Sequence, residues 1–218
     1  LDKAIPAIIR ASFLNQGEIC LCGERILVQE SLFEDFMTEF TAAVKALKVG
    51  DPMQETTFMG PLISREHFAK VQSLVAQAKA DQARVVCGDE ALELPANLQR
   101  GYFMRPMVLV DMSNCSEIHQ TEIFGPVVNV IPFKYPLDAV KLANTGPYGL
   151  SASVFTKDVT RAHRLARQLE VGTVWVNNWL VRDLRVPFGG VKQSGLGREG
   201  GDHSFDFFTE TKTVCVQL

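Results

Sequence analysis

Apolar residues recur along this chain at two spacings. Ser31 and Glu34 form a capping-box pattern, and Phe33, Phe36, Phe40, Val44 and Leu47 follow at helical spacing, which predicts an amphipathic helix after a strand-like run at Arg25–Gln29. A second periodic segment, 64–83, puts Phe68, Val71, Leu74, Val75 and Ala78 on one face, and a brief strand is expected at 85–87. Further on, 127–132 and 151–156 read as strands, 158–169 as a helix with Val159, Ala162, Leu165, Ala166 and Leu169 on one side, and 172–176 as a strand again. Strand, helix, strand at this distance is a crossover unit, so the expected class is α/β, with a mostly parallel open sheet flanked by helices. Sites in such sheets gather beyond the carboxyl ends of the strands, which makes the loop 177–190 an expected wall of a site. The polar stretch 89–100 reads as a surface excursion. The β-prone tail 211–218 reads as either a final edge strand or a strand shared between subunits.

Composition narrows the function classes. With 218 residues, 46% of them hydrophobic, the chain can bury a sizeable core. A net charge of −3 with interspersed signs provides no basic stripe for nucleic acid or anionic lipid, so neither partner is expected. Cys20, Cys22, Cys87, Cys115 and Cys215 are odd in number and lack the spacing of a disulfide framework or a zinc site, which favours a reducing, cytoplasmic setting. The early apolar stretch 5–14 is broken by Pro6 and Arg10 and is too short to span a bilayer. His67, His119, His163 and His203 are scattered, so no metal is expected.

Chemistry concentrates in a few places. Between a helix expected over 3–15 and the strand at Arg25 lies Phe13-Leu14-Asn15-Gln16-Gly17-Glu18-Ile19-Cys20. Gly17 permits a sharp turn, and a cysteine held in such a turn can present its sulfur and its own amide to one bound carbonyl. A thiolate is strongly nucleophilic once its pKa, ordinarily about 8.5, is lowered or a base stands nearby. Taken alone, the residues leave Cys20 open as either a nucleophile or a small apolar core side chain. Glu122 on the same footing reads as a solvated carboxylate beside a turn. Arg182 and Arg185, near Trp179, read equally as a fork for a carboxylate or as surface partners of Asp183 or Glu199. Gly195-Leu196-Gly197-Arg198-Glu199-Gly200 is a literal G-x-G-x-x-G, but it lacks a convincing preceding strand and the chain ends before an acidic residue about twenty positions on could meet a ribose, so a dinucleotide fingerprint is rejected there.

The run Gly17-Glu18-Ile19-Cys20-Leu21-Cys22-Gly23-Glu24 resembles the cysteine active-site signature of the aldehyde dehydrogenase superfamily. Glu122-Ile123-Phe124-Gly125-Pro126, Trp175-Val176-Asn177 and Pro187-Phe188-Gly189-Gly190 match the same family in the expected order. The resemblance implies that Cys20 is the catalytic nucleophile, with Cys22 a structural neighbour. It also implies that Glu122 hydrogen-bonds the nicotinamide-ribose hydroxyls and that Phe124 packs near the nicotinamide. Asn177, Trp179, Arg182 and Phe188 are then the expected substrate-binding residues. Many members look apolar or aromatic at the Arg182 place, whereas the 2-aminomuconic and 2-hydroxymuconic semialdehyde subgroup resembles this chain in both the 14–22 run and Trp179-Leu180-Val181-Arg182. A carboxylate-bearing semialdehyde held by Arg182 is therefore the expected substrate. Departures from the commonest pattern, Ile19 and Thr121, look like subgroup variation.

By the same resemblance, residues 1–204 are expected to form the cysteine-bearing catalytic domain and 205–218 a C-terminal oligomerisation strand, in a dimer or tetramer. The family's general base, a glutamate in a Leu-Gly-Gly motif, its second oxyanion donor and its NAD-binding domain are expected outside this chain, which starts at Leu1 and reaches an active-site motif by Cys20. NAD is the expected cofactor, with NADP open. Two competing readings are a non-catalytic truncated fragment and a relative that passes its acyl group to coenzyme A. The 218 residues by themselves are expected neither to bind NAD tightly nor to turn over; saturable, tight NADH binding in a fluorescence titration contradicts this.

Overall fold

The computed structural model describes residues 1–111 and 116–218, so Cys115 lies outside the described residues. Helix α1 (Ala4–Phe13) forms because Ile5, Ile9 and Phe13 recur on one face, and all three are buried. It ends sooner than the sequence suggests, since Asn15, Gln16 and Gly17 take positive φ (50°, 60° and 74°) in a 3-10 turn, Leu14–Gly17. Helix α2 (Phe33–Lys45) stacks Phe40 on Phe13, and Phe36 stacks in turn on Phe40. The capping box expected at Ser31 does not form: a 3-10 turn, Glu30–Leu32, intervenes, and α2 starts with Leu32 at its cap and no side-chain cap bond. Helix α3 (Arg65–Ala80) is capped by Ser64, whose hydroxyl accepts from the His67 amide.

The main sheet contains β1 (Arg25–Gln29), β2 (Arg84–Cys87), β3 (Met107–Val110) and β4 (Val127–Phe133), in the order β1-β4-β3-β2. β4 runs parallel to β1 and β3, and β2 is antiparallel to β3. Successive side chains go to opposite layers: Val108, Val110, Val128 and Val130 pack with α1 and α2, while Met107, Leu109 and Val127 pack with α3. β4 is central and buried on both faces, which explains why it is apolar along its length except at the buried Asn129.

After β4 come α4 (Pro136–Asn144), β5 (Tyr148–Gly149), β6 (Ser151–Val154), α5 (Val159–Gln168), β7 (Thr173–Val176), β8 (Val191–Lys192) and α6 (Asp202–Phe208). The crossover read from the sequence is present, because β6 and β7 pair in parallel around α5, with Asp158 capping that helix. They form a ladder of their own beside the main sheet, and β5 pairs with β8 in a third. Residues 211–218 pair with no strand among the described residues, so the edge-strand alternative is not realised within the chain.

Gly17 fixes where the Cys20 turn sits. A Cβ there would lie 2.3 Å from the Gly125 carbonyl oxygen, at a φ of 74° that L side chains avoid. The two loops touch backbone to backbone. Gly17→Ala is accordingly expected to destabilise the chain by roughly 2 kcal/mol or more. A denaturant midpoint unchanged from the parent would contradict that close approach.

Candidate active site

The turn after α1 leaves Cys20 exposed, on the wall of a cavity of about 470 Å³ that Glu122 and Trp179 also line. No backbone acceptor takes the Cys20 amide among the described residues, so that N–H is available to an oxygen bound beside the sulfur. Cys22 differs. It is half-buried, its thiol points at the Leu14 carbonyl at 3.8 Å, and burial pushes its pKa up to about 12, helped by the nearby Glu24. Of the two neighbouring thiols, the geometry leaves Cys20 as the accessible one.

The segment carrying Glu122 and Phe124 leads into β4 and is held by its main chain. The Ile123 and Phe124 amides donate to the two oxygens of Glu24, at 3.0 and 2.6 Å. His67 Nε2 donates to the Phe124 carbonyl at 2.6 Å, and Lys70 Nζ donates to the Glu122 carbonyl at 2.9 Å. The Glu122 carboxylate is left exposed, and the Phe124 ring is half-buried at a φ of 58°. Glu18 also braces the turn: its carboxylate accepts from the Ile63 amide and lies 3.4 Å from His67 Nε2.

The third element is the loop after β7. Trp179 Nε1 donates to the Leu21 carbonyl at 2.8 Å, which docks this loop onto the cysteine turn, and Trp175 Nε1 donates to the Val181 carbonyl. Asn177 spends both ends of its amide on the Thr156 backbone, at 2.8 Å each, so in this structure its side chain anchors the loop and does not face the cavity wall. The two arginines part company. Arg185 is paired with Asp183, the surface alternative weighed above. Arg182 is exposed, has no ion pair among the described residues, and lies with its guanidinium carbon 4.2 Å from the centre of the Phe188 ring. Stacking of that kind leaves the N–H edge of the fork open to an anion.

The glycine-rich run 195–200 serves packing, not a pyrophosphate: a Cβ on Gly197 would meet the Phe207 ring at 2.1 Å. No group of three or more His, Cys, Asp or Glu side chains fit to hold a metal occurs among the described residues. No helix among them is long and apolar enough to cross a membrane. Sequence reasoning passed over Glu24 and His67, because a carboxylate next to a strand and a histidine on an amphipathic helix carry no local mark of the distant loop they hold.

Comparison with known proteins places this geometry. The model of the "Aldehyde dehydrogenase family" matches residues 1–214. All of the chain aligns with the 2-aminomuconic semialdehyde dehydrogenase of Mus musculus at 48% identity and with the 2-hydroxymuconic semialdehyde dehydrogenase of Pseudomonas putida at 45%, in each case over 45% of the relative's length. The chain thus spans a little under half of the curated relatives it matches. Among solved structures, HpcC from Thermus thermophilus superposes with a TM-score of 0.93 at 43% identity, covering 98% of this chain and 42% of that one. The betaine aldehyde dehydrogenase of Staphylococcus aureus in complex with NAD+ gives 0.91 at 37% identity, covering 95% and 41%.

The two thiols of the turn should separate in a labelling experiment. With a pKa of about 12, on the order of one Cys22 thiol in ten thousand is ionised at pH 8, whereas Cys20 is exposed. Brief treatment with iodoacetamide followed by peptide mass spectrometry should mark Cys20 and the exposed Cys215 and spare Cys22 and the buried Cys87. Equal marking of Cys20 and Cys22 runs against this arrangement.

Proposed function

Because the chain belongs to the aldehyde dehydrogenase family, we propose that it carries the covalent half of an aldehyde oxidation, with Cys20 as the nucleophile. The observation that carries this reading is an exposed cysteine, its amide without an acceptor among the described residues, on a cavity wall shared with Glu122 and Trp179. The sulfur adds to the carbonyl carbon, the carbonyl π electrons move to oxygen, and the Cys20 amide donates to the resulting oxyanion. NAD, or NADP, when bound supplies the hydride acceptor that turns the adduct carbon into a thioester carbonyl. Hydrolysis then releases a carboxylic acid and returns the thiolate. The glutamate base that the resemblance implies for that water is not among these 218 residues.

The residues present suit the nicotinamide end of such a cofactor. The exposed Glu122 carboxylate can accept from two adjacent ribose hydroxyls, and the Phe124 ring offers an apolar face beside it. The adenine end has no counterpart in the motifs of this chain. Residues 1–204 act in this proposal as the catalytic unit. Residues 205–218 act as a strand shared within a homodimer or tetramer, a role supported by the two-residue alternation of Val214, Val216 and Leu218, all fully or largely exposed. A cytoplasmic setting suits an exposed, reduced Cys20.

We take the substrate to be an aldehyde that also bears a carboxylate, as the names of the muconic semialdehyde relatives suggest. Arg182 is the residue that would grip it, stacked on Phe188, with Trp179 on the cavity wall; Asn177 anchors the loop through Thr156. In the full-length protein, Arg182→Ala is expected to lower kcat/KM for a carboxylate-bearing semialdehyde by roughly 30- to 100-fold, the worth of a paired, charge-assisted hydrogen bond. An uncharged aldehyde of similar length should change little. Equal losses for both substrates refute the role of Arg182, and full activity in Cys20→Ala refutes the nucleophile.

A further inference from the structure

Three side chains hold the main chain of residues 122–124 at four points: Lys70 on the Glu122 carbonyl, Glu24 on the Ile123 and Phe124 amides, and His67 on the Phe124 carbonyl. Glu24 makes two of the four bonds. It follows Cys20 by four residues, and its own carbonyl accepts from the Asn129 amide at 2.8 Å, so it is fixed where the cysteine turn enters β1. We propose that Glu24 is a positioning residue, which with His67 and Lys70 sets the segment carrying Glu122 and Phe124 in register with Cys20 so that both can meet the nicotinamide half of a dinucleotide. The proposal rests on the dehydrogenase reading and adds to it the element that aligns nucleophile and cofactor.

The conformation of Phe124 calls for such a hold. Its φ of 58° is strained for a bulky residue, and a loop in that state keeps its shape only where its peptide groups are fixed on both sides. Here the amide of Phe124 is fixed by Glu24 and its carbonyl by His67, which is also 3.4 Å from Glu18 on the other flank of the cysteine. A carboxylate is a costly choice for the task. Burial raises the Glu24 pKa, the two amide bonds lower it by less, the Glu122 carboxylate raises it further and Lys70 lowers it.

The sign follows from those causes. With its folded pKa above the unfolded one, Glu24 binds a proton more readily in the folded chain, so stability falls as pH rises between the two values. At neutral pH its ionised form is a net liability to the fold. A merely structural anchor gains nothing from keeping that charge, whereas two strong acceptor oxygens hold two amides tightly.

The test is made in the full-length protein with Glu24→Gln and Glu24→Ala. Glu24→Gln is expected to leave the melting temperature equal or higher and Cys20 alkylation within about twofold, while raising KM for NAD roughly tenfold, since one neutral oxygen cannot replace two charged ones. Glu24→Ala should raise it further. KM for NAD in the parent should climb as acid protonates Glu24, and that part of the acid limb should be missing in Glu24→Gln, which keeps the other ionisable groups around the segment, Glu122, Lys70, His67 and Glu18. Hydrogen exchange at the Ile123 and Phe124 amides should quicken in both variants. An unchanged KM for NAD overturns the proposal. So does a lower melting temperature with the aldehyde and NAD constants degraded together, which marks a structural role. If the parent shows no NAD-dependent oxidation, the dehydrogenase reading fails separately, and unaltered exchange at Ile123 and Phe124 in the 218-residue chain overturns the clamp itself.

Discussion

Two stretches of backbone separated by about a hundred residues can share a site only if they can approach each other, and here they meet at Gly17 and the Gly125 carbonyl. Any side chain at Gly17 would enter that carbonyl, and the 74° φ removes the alternative of turning it aside. The approach puts the Cys20 turn over the loop that carries Glu122 and Phe124. Trp179 closes the third side by bonding to Leu21. The hydrogen bonds of Glu24, His67 and Lys70 refine an arrangement that the glycine contact permits.

Around this contact, like residues take unlike roles because their surroundings differ. Cys20 and Cys22 are two positions apart, yet one is exposed on a cavity wall and the other is half-buried with its pKa pushed up to about 12. Glu122 is exposed, while Glu24 is occupied by two amides. Arg185 is tied to Asp183, and Arg182 rests on Phe188 with no acidic partner among the described residues. Desolvation and the nearest partner account for each division, since a side chain already satisfied has little to offer a ligand.

Much of the fold was legible as periodicity. Phe36, Phe40 and Val44 announce α2, and Val71, Val75 and Ala78 announce α3, because one apolar stripe on a helix must be buried. The crossover of β6, α5 and β7 was equally plain. Illegible elements share a cause. β3 is a four-residue apolar run buried on both faces, so it shows no alternation, and α4 is short and opens on Pro136. The Ser31 box failed because its local preference lost to a tighter turn preceding Phe33.

By itself the sequence determined the class of fold and the motifs around the cysteine turn, since turn-forming glycines and periodic apolar residues are properties of short segments, while its resemblance to a family made Cys20 the candidate nucleophile. The same resemblance, in the run Trp179-Leu180-Val181-Arg182, singled out Arg182. Only the tertiary structure decided which thiol is accessible, which arginine is unpaired, that Asn177 is committed to Thr156, and that Glu24 reaches across to Phe124. The Asn177 and Glu24 outcomes depend on contacts between residues 21 and 100 positions apart, and the other two on burial and on which partner packs nearby. Local chemistry lists which groups can act, and the field and partners that select among them exist only once distant segments have packed.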